Sequence, residues 1–439
     1  MKINHLDLSN YKGFKETSID FDDEFNLIVG ENGSGKSSLL DALAVAAGSF
    51  LLGVKGYDAR HIRDEDIRIE FSKQSENPVP LPQYPVSVAA IGSIVDPDAL
   101  HRKRELEWKR EIYGKGGKTT SKDARSLKEL AEKMVQKVQD DQWVTLPLIA
   151  YYGAGRLWIP TKEMQPNENI LSALTNPVRL EAYTFCIDPR IKFSEIFNWL
   201  ANEKYIALEQ GHENATFKAA KDAMRCCVDN CTYLDYSVKD KNLVVAYADK
   251  GRLPFNLLSD GQRSMLAVVA DIAIKAAILN PHHGGAVLQE TAGVVLLDEI
   301  ELHLHPKWQR QVVSNLKSIF PKIQFFASTH SPQVIGETPA SQIIVLRQDG
   351  SWFKPDASIG LNSNEVLRDI MGANYVSLAF SEKLAELDEL LANAAFEEAR
   401  NLLNSLRNEF PNVPEFDRVD AYMNRMDAIA GEDDSVNDC

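Results

Sequence analysis

Apolar positions recur along the chain with two periods. Near-continuous apolar runs at 25–29, 146–152, 294–297, 324–327 and 343–346 predict strands buried on both faces. Alternation at Ile3, Leu6 and Leu8, and over 67–71, 86–94 and 106–113, predicts strands with one wet face. A hairpin is predicted over 243–257, turning at Asp249-Lys250-Gly251. Helical spacing predicts a helix from Ser37 that buries Leu39, Leu40, Leu43 and Val45, one over 122–139, two over 193–231 and a strongly apolar one over 264–279. The segment 161–188 follows neither period. Strand and helix alternate to about residue 360, which predicts an α/β sheet covered by helices, with a helical insertion at about 190–235. Beyond it, over 361–439, three stripes predict a small helical appendage: Leu384, Leu387, Leu390 and Leu391; Phe396, Ala399, Leu402, Leu403 and Leu406; and Val419, Tyr422, Met423, Met426 and Ile429.

Composition narrows the class only a little. The chain is 44% hydrophobic and 25% charged over 439 residues, as expected of a globular protein. No apolar run approaches a membrane span, the N-terminus carries no secretory pattern, and five cysteines do not make a disulfide framework; together these predict a reducing, cytoplasmic setting. The net charge of −15 is uneven: residues 381–439 hold 15 acidic and 5 basic side chains, whereas residues 101–128 hold 10 Lys or Arg against 4 acids. Glu105, Glu107 and Glu111 are interleaved with those cations, which reads as a solvated hairpin face before it reads as a track for a phosphate backbone.

Chemistry concentrates in four motifs. Gly30-Glu31-Asn32-Gly33-Ser34-Gly35-Lys36-Ser37 stands between an apolar strand and a helix, the context in which a glycine loop cradles phosphates. Its backbone N–H groups and the helix N-terminus face the anion, with Ser38 next in line. Lys36 supplies a charge to the phosphates and Ser37 a hydroxyl to Mg²⁺. A second apolar run ends in Asp298-Glu299, a carboxylate for the metal followed by one for the attacking water. Ser259-Asp260-Gly261-Gln262 opens the apolar helix, where Ser259 can act as N-cap. Thr329-His330-Ser331 follows another buried run, and His330 there can sense a γ-phosphate. His303 and His305 lack further ligands, and Cys226, Cys227 and Cys231, placed on a predicted helix, lack a fourth, so neither set makes a zinc site.

The order of these motifs resembles the ATP-binding-cassette ATPases, and the long gap between loop and signature resembles their SMC-like branch. That resemblance implies a head built from a mixed sheet and a RecA-like parallel sheet, with ATP and Mg²⁺ as cofactors. Ser259, Gly261 and Gln262 would then close on the ATP of another subunit, in a head-to-tail dimer. It also implies that Lys12, within Asn10-Tyr11-Lys12-Gly13-Phe14, lies near the nucleotide. The sequence departs from the branch in two places: no sustained heptads form an arm, and where a glutamine-bearing loop is expected stands His61-Ile62-Arg63-Asp64-Glu65-Asp66. The strings 146–158, 258–264 and 298–306, and the tail from Leu361-Asn362-Ser363-Asn364-Glu365, are similar to stand-alone bacterial ATPases of anti-phage defence, especially the PtuA-type ATPases of Septu and retron-associated systems. This implies a homo-oligomeric regulator of a partner HNH endonuclease of the PtuB type, with DNA or a retron complex of RNA, DNA and reverse transcriptase as a further partner and no membrane. No nuclease centre of its own is expected: the residues after His330 contain no Asp-x-Asp. A RecF-like DNA-repair clamp and a slow-turnover scaffold are the alternatives.

Overall fold

The computed structural model describes residues 1–72, 79–98, 102–156, 178–248, 251–372, 378–393, 395–410, 416–417 and 419–425. It divides into two compact units, Met1–Val366 and Leu367–Cys439. The boundary falls later than the 360 read from the sequence, because Asn362 caps a short helical turn of the first unit and Val366 is fully buried.

In chain order the first unit contains β1 (Lys2–Tyr11), β2 (Phe14–Asp20), β3 (Phe25–Gly30), α1 (Lys36–Gly48), β4 (Ile69–Phe71), β5 (Pro80–Pro82), β6 (Val86–Val95), β7 (Lys103–Ile112), α2 (Arg125–Gln139), β8 (Leu148–Tyr152), α3 (Phe193–Gln210), α4 (Ala215–Cys226), β9 (Cys231–Ser237), β10 (Asn242–Tyr247), β11 (Gly251–Pro254), α5 (Asp260–Leu279), β12 (Gly293–Leu297), α6 (Val312–Ile319), β13 (Ile323–Thr329), β14 (Ile343–Leu346) and β15 (Trp352–Phe353). The five apolar runs become β3, β8, β12, β13 and β14 of one six-stranded sheet, ordered β15-β14-β3-β13-β12-β8 and parallel except at β15. Both faces of these strands are covered, so their burial is continuous rather than alternating. Of the alternating runs, those at β1, β6 and β7 join β2 in an antiparallel sheet, β2-β1-β6-β7, whereas the run over 67–71 becomes β4 and pairs with β5 in a separate two-stranded sheet.

Helix α1 lies between the two sheets and is buried on every side from Leu39 onward except at Asp41. Its stretch Lys36–Gly53 does reach the length and apolarity of a membrane span, contrary to the sequence reading. With 78% of it inside the fold, it is the core helix of the unit. Trp108 of β7 donates its indole N–H to the Ala46 carbonyl at 2.9 Å and so fastens the antiparallel sheet to that helix. Gln324 at the start of β13 joins the sheets directly, accepting from Ile3 N at 2.7 Å and donating to Ile3 O at 2.8 Å. Its buried amide thus takes the place of a neighbouring strand's peptide.

Four strands were absent from the periodicity reading: β2, β5, β9 and β15. In β2, Lys15 and Glu16 interrupt the alternation. In the insertion, α4 ends at Cys226 and Cys231 opens β9, so the three cysteines do not share a helix. β9 pairs with β10 of the expected hairpin, giving a separate three-stranded sheet, β11-β10-β9, that leads into α5. The hairpin tip at Asp249 and Lys250, and 161–177 of the unassigned segment, lie outside the described residues.

The second unit contains α7 (Leu378–Ala392), α8 (Phe396–Glu409) and helical residues at 416–417 and 419–425. Phe380, Leu387, Ala399, Leu403, Leu406, Phe416 and Met423 form its core. Tyr422, read as part of the third stripe, is instead 48% exposed; Met426 and Ile429 lie outside the described residues.

Candidate functional site: the phosphate loop and its surroundings

Three parallel strands, β3, β13 and β12, deliver the loop, His330 and the carboxylates to the same edge of the sheet. Parallel pairing puts all three carboxyl ends on one side, which is where ligands bind in such sheets. Gly35, the N-cap of α1, has φ 99°, and a Cβ there would stand 2.9 Å from the Phe14 ring, so only glycine allows the helix to start against that ring. Lys36 is buried and donates to the carbonyls of Gly30 and Glu31, both at 2.8 Å. Burial pulls its pKa below the ordinary lysine value, and the nearby Asp298, Glu299 and Glu301 oppose that pull. Ser34 Oγ is buried with no hydrogen-bond partner among the described residues, an unmet donor in the floor of the loop that fits an anionic oxygen. Glu31, Asn32, Gly33 and Ser37 are exposed and Ser38 half-buried. Glu31 accepts from Gln348 at 2.7 Å.

Asp298 meets the loop from across the sheet. Its Oδ2 accepts from Ser37 Oγ at 2.9 Å and its Oδ1 from Ser328 Oγ at 2.5 Å. A hydroxyl and a carboxylate so placed are the hard oxygen donors that Mg²⁺ takes in phosphate sites, and the residues present fit that ion. Glu299 follows in a left-handed conformation, φ 49°, which costs a non-glycine residue roughly 1–2 kcal/mol. Its N–H donates to Ser328 Oγ at 2.8 Å and its carbonyl accepts from Arg156 Nη2 at 3.0 Å. Glu301, which the sequence reading quoted but gave no role, holds the next strand's end: it accepts from Thr329 Oγ1 at 2.7 Å and from His330 N at 2.6 Å. Its two-residue offset from Glu299 is the signal that was available.

Ser259 N-caps α5 in a capping box with Gln262, as the sequence predicted. Ser259 and Asp260 are exposed, whereas Gly261 is buried where a Cβ would lie 2.3 Å from the His303 carbonyl oxygen. Among the described residues no hydrogen bond or ion pair joins Ser259, Gly261 or Gln262 to the phosphate loop of the same chain; Gln262 reaches Tyr247 instead.

Lys12 is held elsewhere. It pairs with Asp41 of α1 at 2.5 Å and Asp66 at 3.2 Å, and Arg60 pairs with the same Asp41 at 2.8 Å. A phosphate contact from Lys12 requires it to leave both carboxylates. Asp66, at the end of the string that stands where a glutamine-bearing loop is expected, is fully buried in this cluster and bonds to neither Ser37 nor Asp298. In the basic stretch, Lys109, Arg125 and Lys128 pair with acids, while Arg110 is buried and donates to the Thr120 carbonyl.

The strand order, the loop and the carboxylate strand define the class: an α/β domain with a phosphate-loop site at the carboxyl ends of a mostly parallel sheet. Comparison with known proteins gives the particular relatives. Residues 5–223 match a family model described as "AAA domain", and residues 239–336 match one described as "AAA domain, putative AbiEii toxin, Type IV TA system". The chain is similar to the "Retron Ec83 probable ATPase" of Escherichia coli, at 25% identity over 88% of this chain and 82% of that protein. It is similar to the "Septu protein PtuA" of Bacillus thuringiensis, at 26% identity over 46% of this chain and 54% of that one. The solved SMC head bound to the C-winged helix domain of ScpA aligns over 81% of this chain and 97% of its own, with 19% identity and a TM-score of 0.47.

Proposed function

We propose that this chain binds Mg²⁺-ATP in the 30–38 loop and hydrolyses it at a site shared between two subunits. The observation that carries this reading is the Ser37–Asp298 contact, which joins loop and carboxylate strand from opposite ends of the sequence. When phosphates enter the loop, Lys36 turns from the Gly30 and Glu31 carbonyls to them, and Ser34 Oγ gains its missing partner. Ser37 and Asp298 hold Mg²⁺, which offsets the charge of the phosphate oxygens. Glu299 takes the proton of the attacking water, and His330, on the strand end fixed by Glu301, contacts the γ-phosphate. Ser259 and the α5 N-terminus cover the phosphates of the opposite subunit.

In its setting we read the chain as the ATPase subunit of an anti-phage complex. Its names of kin, a retron ATPase and a Septu protein, support that reading. ATP-driven assembly of copies of this chain would control a partner HNH endonuclease, with the acidic helical second unit as a docking element, in the cytoplasm. Replacing Glu299 with Gln tests the chemistry. Turnover should fall about 10²- to 10⁴-fold while ATP is retained and dimers accumulate. Unchanged phosphate release would remove Glu299 as the base. Strong DNA cleavage by the purified chain alone would overturn the regulatory reading.

A further inference from the structure

Arg156 lies in the turn after β8 and is 2% exposed. Its guanidinium donates to the Asp298 carbonyl at 2.6 Å, the Glu299 carbonyl at 3.0 Å and Ser264 Oγ at 3.1 Å. Burial pulls its pKa down to about 10, with the charges of Asp298, Glu301 and Glu299 opposing, so it stays a cation at neutral pH. No ion pair with a carboxylate is present among the described residues, so backbone carbonyls and one hydroxyl satisfy it. A buried cation is costly to keep, and the fork geometry of arginine lets one side chain reach three acceptors on two elements.

Two of those acceptors belong to the residues that carry the catalytic carboxylates. The third, Ser264, is on α5, between one and two turns from the capping Ser259. The left-handed Glu299 is thus held on both sides, through its N–H by Ser328 and through its carbonyl by Arg156. A second tie lies beside the first: Tyr152, the last residue of β8, donates to Asp271 of α5 at 2.6 Å. The end of β8 is fastened to the signature helix at Ser264 and Asp271, and to the catalytic strand through Arg156.

We infer that Arg156 is a positioning residue that transmits the placement of the signature helix to the Glu299 carboxylate, so that hydrolysis answers to what Ser259 meets. This rests on the ATPase reading. Arg156→Lys keeps the charge and loses the fork; Ser264→Ala cuts only the helix end of the link. Turnover should fall about 10- to 100-fold in Arg156→Lys and about 3- to 10-fold in Ser264→Ala, with the Kd for ATP within about threefold of wild type in both. The double variant should be no slower than Arg156→Lys alone, because both changes break one link. Amide exchange in a peptide covering 298–304 should speed up in both variants of the full chain, including Ser264→Ala, whose substitution is elsewhere in sequence. Wild-type turnover and nucleotide binding report on the ATPase reading by themselves; the exchange readout judges the link without turnover. Equal exchange at 298–304 in wild type and both variants would overturn the inference, as would rate effects that multiply in the double variant.

Discussion

The phosphate loop and the signature turn differ in how much of their environment comes from their own chain. The loop is nearly complete: Lys36, Ser37 and the opposing Asp298 are all joined by bonds within the chain. At the signature, the backbone of Gly261 is packed tightly against His303, yet Ser259 and Asp260 face solvent and Leu257 just before them is 65% exposed. One half is finished and waits for a small anion. The other is rigidly mounted with its active face outward, the form expected of half a site completed by a second copy.

The sharpest way to break that comparison is to damage each half in a different copy. Ser259→Arg should leave the chain folded and able to bind ATP, yet lower turnover about 10²-fold or more, because a bulky side chain keeps the opposing phosphates away. Lys36→Ala should abolish ATP binding. Neither variant alone turns over, but in an equal mixture half the dimers pair one with the other and carry one intact composite site. Phosphate release in the mixture should recover to about a quarter of wild type. A mixture no more active than its components would mean that the site is not shared in this way.

A smaller effect tests how rigidly the signature is mounted. Gly261→Ala places a methyl group against the His303 backbone, so α5 or the 303–304 segment must shift. A loss of about 1–3 kcal/mol in denaturant unfolding is expected. At the loop, by contrast, Asn32→Ala changes an exposed side chain and should alter stability by less than about 0.5 kcal/mol. If Gly261→Ala is neutral, the turn is soft and Ser259 is not held in place by its own chain.

How far each half could be read from the sequence follows the same division. The loop, Asp298, Glu299 and the Ser259 cap were legible because local chemistry dictates them: glycines before a helix, carboxylates ending an apolar run, a hydroxyl three residues before Gln262. What joins them was not. Arg156 is one arginine in a turn, and its acceptors beyond that turn are two backbone carbonyls and a serine distant in sequence, which no local spacing encodes. The strand order β14-β3-β13-β12-β8 is also non-local, since periodicity tells that a strand is buried without naming its neighbour. Lys12 shows the reverse failure. The resemblance put its motif near the nucleotide, but the carboxylates that hold Lys12, Asp41 and Asp66, lie on segments whose approach only the fold reveals.

The smallest expected effect is a fraction of a proton, and it belongs to the loop half alone. In the unliganded chain burial lowers the Lys36 pKa, so the ammonium loses its proton at a lower pH than an ordinary lysine would. Bound phosphates add negative charge beside it and favour the charged form. The nucleotide complex therefore holds this proton more tightly than the free chain. Linkage then requires ATP binding to take up protons as pH approaches the lowered pKa, and affinity to fall as pH rises further. Titration calorimetry at a series of alkaline pH values, in two buffers of different ionisation enthalpy, should show uptake of less than about one proton per site. Lys36→Arg, whose guanidinium stays charged throughout, should abolish that uptake wherever it still binds ATP. Ser259→Arg should leave it unchanged, since the signature of the same chain does not touch this lysine. An uptake that vanished in Ser259→Arg would place Lys36 under the control of the signature half before any hydrolysis, and the two halves would then be one unit.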